Sequence, residues 1–591
     1  MRKIMRLTLP VLALLVLPLI ILGQTQLSTQ VKNSAAIYRL RRPVALALVD
    51  GGNRLLVANR DSGTIAVVDT NKLQVIEEVR VGRKLSDMAV NSAGDLLLVT
   101  DEETGEVIWV AYRQSSLREM RRLAVGVSPV SVRISADGEY ASVACLWQHR
   151  LRILDLAALA NTGQESTAIV DLPFAPRRQL LVPGSAKVIV TDAFAGKIAV
   201  VDPRRKKIDS VRDLAVHNIR GLGLDIGGKG IWLTHQVLHA QGHTTGGDIR
   251  TGNLLTNNVR RLSLAALVDP VADVLSHEQL YFLGDVERGA SDPAEVAETP
   301  GRLLVTLSGA NELAIGLPAQ GIWTRLAVGL RPTALAVDPV TERAYVANTL
   351  ADSISVVDLR NAKVLAEVAL GPPVELQPHE RGELLFFDGR LSLDTWYSCH
   401  SCHTDGHTNG RLNDNLTDGS FGTPKRVLSL LGVKDTGPWA WNGRMGDLEA
   451  QVRTSITSTM QGPQPNADQV RDLTAFLQTL APPPPLLQAR GTIDAEIVKR
   501  GRMVFNRQKC ATCHTPPTYT SPKVYDVGLR DEVGGTRFNP PSLRGLSQGG
   551  PYFHDNRAVS VEDVLTRHHH QLPDPLSERD LKDLLHFLGS L

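Results

Sequence analysis

Cysteine is scarce in this chain: there are five in 591 residues, and four of them sit in two pentapeptides, CHSCH at Cys399 to His403 and CATCH at Cys510 to His514. The fifth, Cys145, lies in the apolar, strand-like run ASVAC and is most simply a small buried hydrophobe. A long run of single-sign charge is also missing. Lys and Arg number 64 against 62 Asp and Glu, so the charge pattern asks for neither nucleic acid nor an acidic surface as partner. At the N-terminus the basic MRKIMR is followed by the apolar LTLPVLALLVLPLIILG, broken by Pro10 and Pro18 as in an export signal. The absence of a lipobox cysteine argues against a lipoprotein. The absence of a clean A-x-A site leaves two readings of residues 1–23 open, a signal peptide cleaved near Gly23 or an uncleaved N-terminal anchor. Either way the body is expected outside the cytoplasm, in the periplasm, with membrane contact only through that anchor.

What the chain does have is C-x-x-C-H twice, the pattern of covalent c-type haem attachment. Two thiols one helical turn apart can bond both vinyl groups of one porphyrin, while the adjacent imidazole comes up beneath the iron. A zinc knuckle would need four convergent ligands, and a dithiol redox pair does not require His twice at the same offset. The expectation is therefore two haems c, one on Cys399, Cys402 and His403 and one on Cys510, Cys513 and His514. Haem attachment of this kind takes place outside the bacterial cytoplasm, which agrees with export.

A chain of 591 residues is too long for one core. From about residue 35 to 373 it repeats a unit with strand periodicity: two or three apolar stretches separated by polar turns, often ending in V-V-D. The best copies are RLLVANRDSGTIAVVD from Arg54, DLLLVTDEETGEVIWV from Asp95, KVIVTDAFAGKIAVVD from Lys187 and RAYVANTLADSISVVD from Arg343. Weaker ones begin near Glu139, Gly230 and Arg302, with an insertion in the gap between the last two. The spacing is that of four-stranded propeller blades and predicts seven of them. LVAN at Leu56 and YVAN at Tyr345 resemble the YVTN family of seven-bladed propellers. Within the insertion, His235, His239 and His243 would share one face of a helix. Gly242, Gly246 and Gly247 make a polar loop the simpler reading, and no metal is placed there. The stretch SHEQLYFLGDVERGASDPAEV from Ser276 reads as a loop at one propeller mouth, able to dock the haem part.

At Gly371-Pro372-Pro373 strand alternation stops and helical signals begin. The rest is a duplication: RGELLF at Arg381 matches RGRMVF at Arg500, TPKRVLSLLG from Thr423 matches NPPSLRGLS from Asn539, and WNGRMGDLEAQV from Trp441 matches HDNRAVSVEDV from His554. The copies end alike in the amphipathic DLTAFLQTL from Asp472 and DLLHFLGSL from Asp583. The fold class is thus multidomain: an all-β seven-bladed propeller, then two all-α cytochrome c-like haem domains, 374–481 and 491–591. Between these lies a stiff linker, 482–490, opened by Pro482 to Pro485.

LLFFDGRLS before CHSCH, WNGR after it, and PSLRGLS with PYFHDNR after CATCH resemble the bacterial dihaem cytochrome c peroxidase and MauG group over about residues 374–591. The resemblance implies a dihaem oxidoreductase that acts on peroxide or on a redox partner protein, with Trp441 between the haems. It also implies a calcium ion between the haem units, for which no constellation is traceable in the sequence. Where the family places a Glu over the open haem face, the alignment puts Gln461, which cannot act as acid or base. No distal His has a clear counterpart, although His407 is nearby. For the far-side iron ligands, Met460 in STMQG is the candidate in the first unit, with Met445 as runner-up and a packing Met as the alternative. In the second unit RHHHQ offers His568, His569 and His570; His568 matches the family's ligand position best, and a surface His cluster is the alternative. His554 is expected beside the haem rather than on the iron. A non-enzymatic electron carrier, whose propeller docks a redox partner, is the other function class left open.

Overall fold

A computed structural model describes residues 39–162, 167–317, 320–416 and 419–591; the N-terminal 1–23 segment lies outside the described residues. Seven antiparallel four-stranded sheets follow one another in the order of the sequence, over 43–80, 85–124, 129–171, 176–213, 222–282, 293–327 and 332–369. The first strand of each blade packs on the first strand of the next, and that of the seventh blade packs on that of the first, so the ring is closed.

The repeats recognised in the sequence are the second and third strands of the blades, such as Arg54–Asn59 with Thr64–Asp69. Blades stack face to face, so both faces of these middle strands are buried and they read as continuous apolar runs. The outer strands, such as Gln74–Arg80, are half exposed and carry mixed residues. The Asp of V-V-D shapes the turn that follows: Asp69 Oδ1 accepts the N–H groups of Asn71 and Lys72, and Asp358 Oδ1 those of Arg360 and Asn361. Closure between blades seven and one uses the same apolar packing as elsewhere, with Leu55, Val57 and Ala66 against Tyr345, Ile354 and Val356.

Blade five carries the insertion. Its middle strands, Gly230–Leu238 and Leu255–Ser263, are longer than those of the other blades, and the hairpin between them holds a short helix, Gly246–Arg250. His235 lies inside the strand, so the three histidines never share a helix face. The stretch from Ser276 supplies the fourth strand, Gln279–Phe282, and then runs onto the haem part, where Gly289 N–H donates to Asp394 O at 2.7 Å.

The duplication is visible as two matching helix pairs. Pro378–Phe386 packs on Ala467–Thr479, and Ala495–Arg507 packs on Glu578–Leu588. The shared Arg-Gly has a reason in each. Arg381 grips Asp472 through two bonds of 2.7 and 2.8 Å, and Arg500 grips Asp583 at 2.8 and 2.9 Å. The next residue must be glycine, because a Cβ at Gly382 would fall 1.9 Å from Asp472 O and one at Gly501 2.0 Å from Asp583 O. The stretch between the halves is more than a spacer. After Pro485 comes a helical turn, Leu486–Arg490, fixed to the third blade by Gln148 Nε2 donating to Ala489 O at 2.6 Å and Arg490 Nε to Gln148 O at 2.9 Å.

Candidate haem site

Both C-x-x-C-H motifs open onto one cavity of about 1530 Å3, lined by Cys399, Cys402 and His403 from the first half and by Cys510, Cys513 and His514 from the second. The first motif forms a helical turn, Cys399–Cys402, that brings its two thiols to one side. Each motif histidine donates from Nδ1 to a backbone carbonyl, His403 to Leu428 O at 2.8 Å and His514 to Tyr519 O at 3.1 Å. That bond fixes the tautomer and leaves Nε2 as the nitrogen for a metal, the usual support of a metal-ligating histidine. Burial holds both imidazoles neutral, pushing His403 down to about 4 and His514 below its ordinary value. Among the described residues no group of three or more His, Cys, Asp or Glu converges as a free-standing metal site.

On the far side of the first half stands Met460, 3 % exposed and lining the cavity. Met445 lies outside the lining. Also on the cavity wall is Gln451, which the sequence did not single out: its Nε2 donates to Ser455 Oγ at 3.0 Å while its buried Oε1 has no hydrogen-bond partner among the described residues. Gln461 is not in the cavity. Its amide donates to Ser458 O at 2.7 Å and to Thr244 O of the propeller insertion at 3.1 Å, so it is an interdomain contact. The second half brings a similar correction. His568 points away, with Nε2 donating to Arg557 O at 3.2 Å, whereas His570 lines the cavity beside His514. Burial and the neighbouring His514 imidazole push His570 down to about 4. Residues 568–570 sit in a turn with a left-handed backbone at His569, φ 44°, so adjacent imidazoles point apart; spacing alone gave no sign of this.

Trp441 lines the cavity where the halves meet. Its Nε1 donates to Arg426 O at 2.8 Å, and its own carbonyl accepts from Asn539 N of the second half at 2.7 Å. Its ring faces His554 edge-on at 6.3 Å, and His554 stacks on Phe538 at 4.4 Å. Neither ring nitrogen of buried His554 nor the Nε of half-buried Arg426 has a hydrogen-bond partner among the described residues, and the Asp555 carboxylate stands 4.0 Å from His554 Nε2. Burial also pulls the Arg426 guanidinium down to about 10. A half-buried cation with an orphaned donor on the cavity wall fits a haem propionate, and the single N–H of the neutral His554 imidazole fits the same acceptor. His407 is no distal ligand: Nδ1 meets Ser429 Oγ at 2.9 Å and Nε2 donates to Gln548 O at 3.2 Å, against Phe194 of the propeller. The residues present thus fit covalent haem c.

Fold and site together define a c-type cytochrome unit of two haem-attachment halves seated on a seven-bladed propeller. Residues 377–481 match the family model of di-haem cytochrome c peroxidase. The methylamine utilization protein MauG of Methylorubrum extorquens is 29% identical, over 36% of this chain and 76% of that protein. Cytochrome c551 peroxidase of Pseudomonas aeruginosa is 25% identical, over 37% of this chain and 80% of that protein. Among solved structures, Kuenenia stuttgartiensis hydrazine synthase aligns with a TM-score of 0.47 at 20% identity, covering 57% of this chain and 99% of that one. The similarity to di-haem cytochrome c peroxidase and MauG proteins thus falls on the part of the chain that carries the C-x-x-C-H motifs, with a seven-bladed propeller in front of it.

Proposed function

We propose that each C-x-x-C-H motif holds one haem c, and that the chain works in the periplasm as an oxidoreductase. In this reading peroxide is the oxidant and a redox partner protein is the electron source. One observation carries it: a single cavity runs between both motifs, with Trp441 on its wall. Haem iron supplies one-electron chemistry at each end of that cavity.

The chain's own residues divide the work. In the first half the buried Met460 thioether on the cavity wall would hold the haem from the far side, where a thioether would favour the ferrous state. In the second half His570, which lines the cavity where His568 does not, would be the residue able to reach the iron, and peroxide would need that position free. Asp526 and Asp531, the carboxylates among the described lining residues, also come from this half. Gln451 and Gln461 cannot exchange protons, so side-chain acid–base help with peroxide belongs to the second half. Trp441 bridges the halves as the aromatic contact between them. Export is supported by the N-terminal MRKIMR and apolar run, and by the extracytoplasmic chemistry of haem attachment. No calcium site is assigned.

The test mixes protein carrying two ferrous haems with one equivalent of hydrogen peroxide. Both haems should be oxidised together in a single turnover, the peroxide taking two electrons and two protons to give two waters. Haems that stay ferrous under peroxide, yet still exchange electrons with a mediator, would establish the second reading, an electron carrier. The observation favouring that reading is one ligating side chain per half, Met460 and His570, on the same cavity.

A further inference from the structure

The chain that leads into the first haem motif is mounted on the propeller. Ser398 and Ser401 both donate to Asp292, each at 2.5 Å, on the segment that enters blade six, and Thr404 Oγ1 donates to Asn218 Oδ1 at 2.9 Å. The second motif bonds within its own half, through Thr515 Oγ1 to Ala511 O and Tyr525 OH to Thr512 O, each at 3.1 Å. Upstream of Ser398 the attachment to the propeller continues. Asn257, in the long third strand of blade five, donates from Nδ2 to Trp396 O at 2.9 Å, and Ser291 N donates to Thr395 O at 3.3 Å. Trp396 is buried in a slot of the blade-five insertion, where a Cβ at Gly252 would fall 2.9 Å from its ring. The short helix of the insertion packs on Leu393–Thr395.

This anchored segment in turn holds the loop that carries Met460. After the helix Leu448–Thr454 the chain widens into a π-turn, Ser455–Thr459, closed by Met460 N donating to Ser455 O at 2.8 Å. Leu393 N then donates to Met460 O at 2.9 Å, and Tyr397 OH to Thr459 O at 2.7 Å. Gly462 passes so close to the segment that a Cβ there would lie 1.8 Å from Leu391 O. Gln461 reaches the propeller directly, its Nε2 donating to Thr244 O of the insertion at 3.1 Å. The Met460 loop is thus held on one side by a segment bonded to blade five and on the other by the tip of the blade-five hairpin.

We propose that blade five is a latch on the far side of the first haem: with Tyr397 and Gln461 as positioning residues, its insertion and Asn257 keep Met460 against the iron and close that position to external ligands. The proposal rests on the haem reading above and on Met460 as the far-side ligand. A thioether favours ferrous over ferric iron, so the oxidised state is where the ligand leaves most easily and where its loop must be held. Outer bonds that fix the carrier of a ligand do this. Swinging Met460 away breaks the bonds at Thr459 O, Met460 O and Gln461 Nε2 together. The corresponding turn of the second half is bonded within that half, His570 N to Val564 O at 3.1 Å and Gln571 Nε2 to Val527 O at 2.8 Å. The latch therefore leaves external ligands, peroxide included, to the second haem.

Cyanide is the probe, and the near-infrared Met-to-iron charge-transfer band of the oxidised full chain reads the first haem alone. At saturating cyanide the decay of that band reports how fast the loop opens. Tyr397→Phe deletes one hydroxyl and keeps the ring, while Gln461→Ala and Asn257→Ala cut the two routes to the propeller. Each should speed the decay about three- to tenfold, the worth of one hydrogen bond. Arg381→Gln, which loosens the outer helix pair of the same half without touching the loop, should leave the decay at the wild-type rate. Unchanged decay in both Gln461→Ala and Asn257→Ala overturns the latch, even where Tyr397→Phe is fast, because the loop is then held by the haem unit alone. Equal acceleration in Arg381→Gln also overturns it, since general loosening would account for the effect. Where Asn257→Ala fails to fold, Gln461→Ala makes the same test. A wild-type chain that carries haem c on Cys399 and Cys402 but lacks the band overturns Met460 as ligand and the latch with it, whereas a band that decays at the wild-type rate in the variants overturns the latch alone.

Discussion

Replacing Met460 by alanine separates packing from ligation in one experiment. Met460 is 3 % exposed and sits in the apolar cluster that includes Leu448, Val452, Ile456 and Leu473, with Cys399 and Cys402 packed against it. Truncating a fully buried methionine costs about 2–5 kcal/mol through lost transfer energy and the residual cavity. Because the side chain lines an already large cavity, which the haem face would adjoin, the loss should fall toward about 2 kcal/mol. Chemical denaturation with haem absorbance as probe reads that figure. A purely structural role predicts nothing more. Ligation predicts in addition a weak near-infrared band of Met-to-iron charge transfer in the oxidised wild type, its loss in Met460→Ala, and a fall in the first haem's midpoint. The second haem's spectrum should be unchanged. Met445→Ala should keep the band, since Met445 lies outside the cavity lining. A band that survives Met460→Ala, or is absent from the wild type, refutes the assignment whatever the stability change.

A pyridine haemochrome assay should give two haems c per chain, falling to one in Cys510→Ala/Cys513→Ala; a wild-type value of one or none, from a host competent in haem attachment, refutes the dihaem reading. Gly382→Ala and Gly501→Ala should each cost about 3 kcal/mol or more by overpacking, because the new Cβ lies 1.9 and 2.0 Å from a helix carbonyl; denaturation curves superposable on the wild type would contradict the close approach. Burial pushes His217 and His235 down to about 3, below an unfolded value of about 6.5, so the unfolded chain binds more protons between those values and stability falls as pH falls through that window. The loss from pH 7 to 5 should be about 2 kcal/mol for each histidine, and His235→Gln should flatten the dependence of the melting temperature on pH; an unchanged slope would show that His235 is not buried neutral.

The architecture was legible because its signals are local. Middle strands buried on both faces appear as apolar runs, and V-V-D marks a side-chain-capped turn, so seven blades could be counted without any long-range information. The duplication was legible for a similar reason. Arg-Gly recurs because each copy needs a bidentate partner for an aspartate and a contact too close for a Cβ. The haem motifs were the most explicit, since covalent attachment fixes residue types at fixed spacing. Far-side residues obey no such rule. Gln461 and His568 were chosen by offset from motifs, and each was displaced by the path of its own loop: Gln461 has φ 49° and turns to Thr244, and the turn at His569 sends His568 and His570 different ways. Gln451, one helical stretch nearer to Trp441, carries the orphaned acceptor instead.

What the sequence hid most completely is that the two parts are not independent modules. Asp292, Arg177, Arg220 and Arg331 look like ordinary charged residues of a propeller, and Ser398, Ser401 and Asp405 look like filler around a haem motif. Each is a poor candidate alone, and their partners lie at sequence separations that no periodicity reports. The propeller's own apolar cluster closes blade seven on blade one with propeller residues alone. The reverse dependence is strong: without the propeller the first motif would lose the partners of Ser398, Ser401, Thr404 and Asp405 at once, while the second motif would keep its own. The two C-x-x-C-H motifs are therefore held unequally, the first by the propeller and the second by its own half.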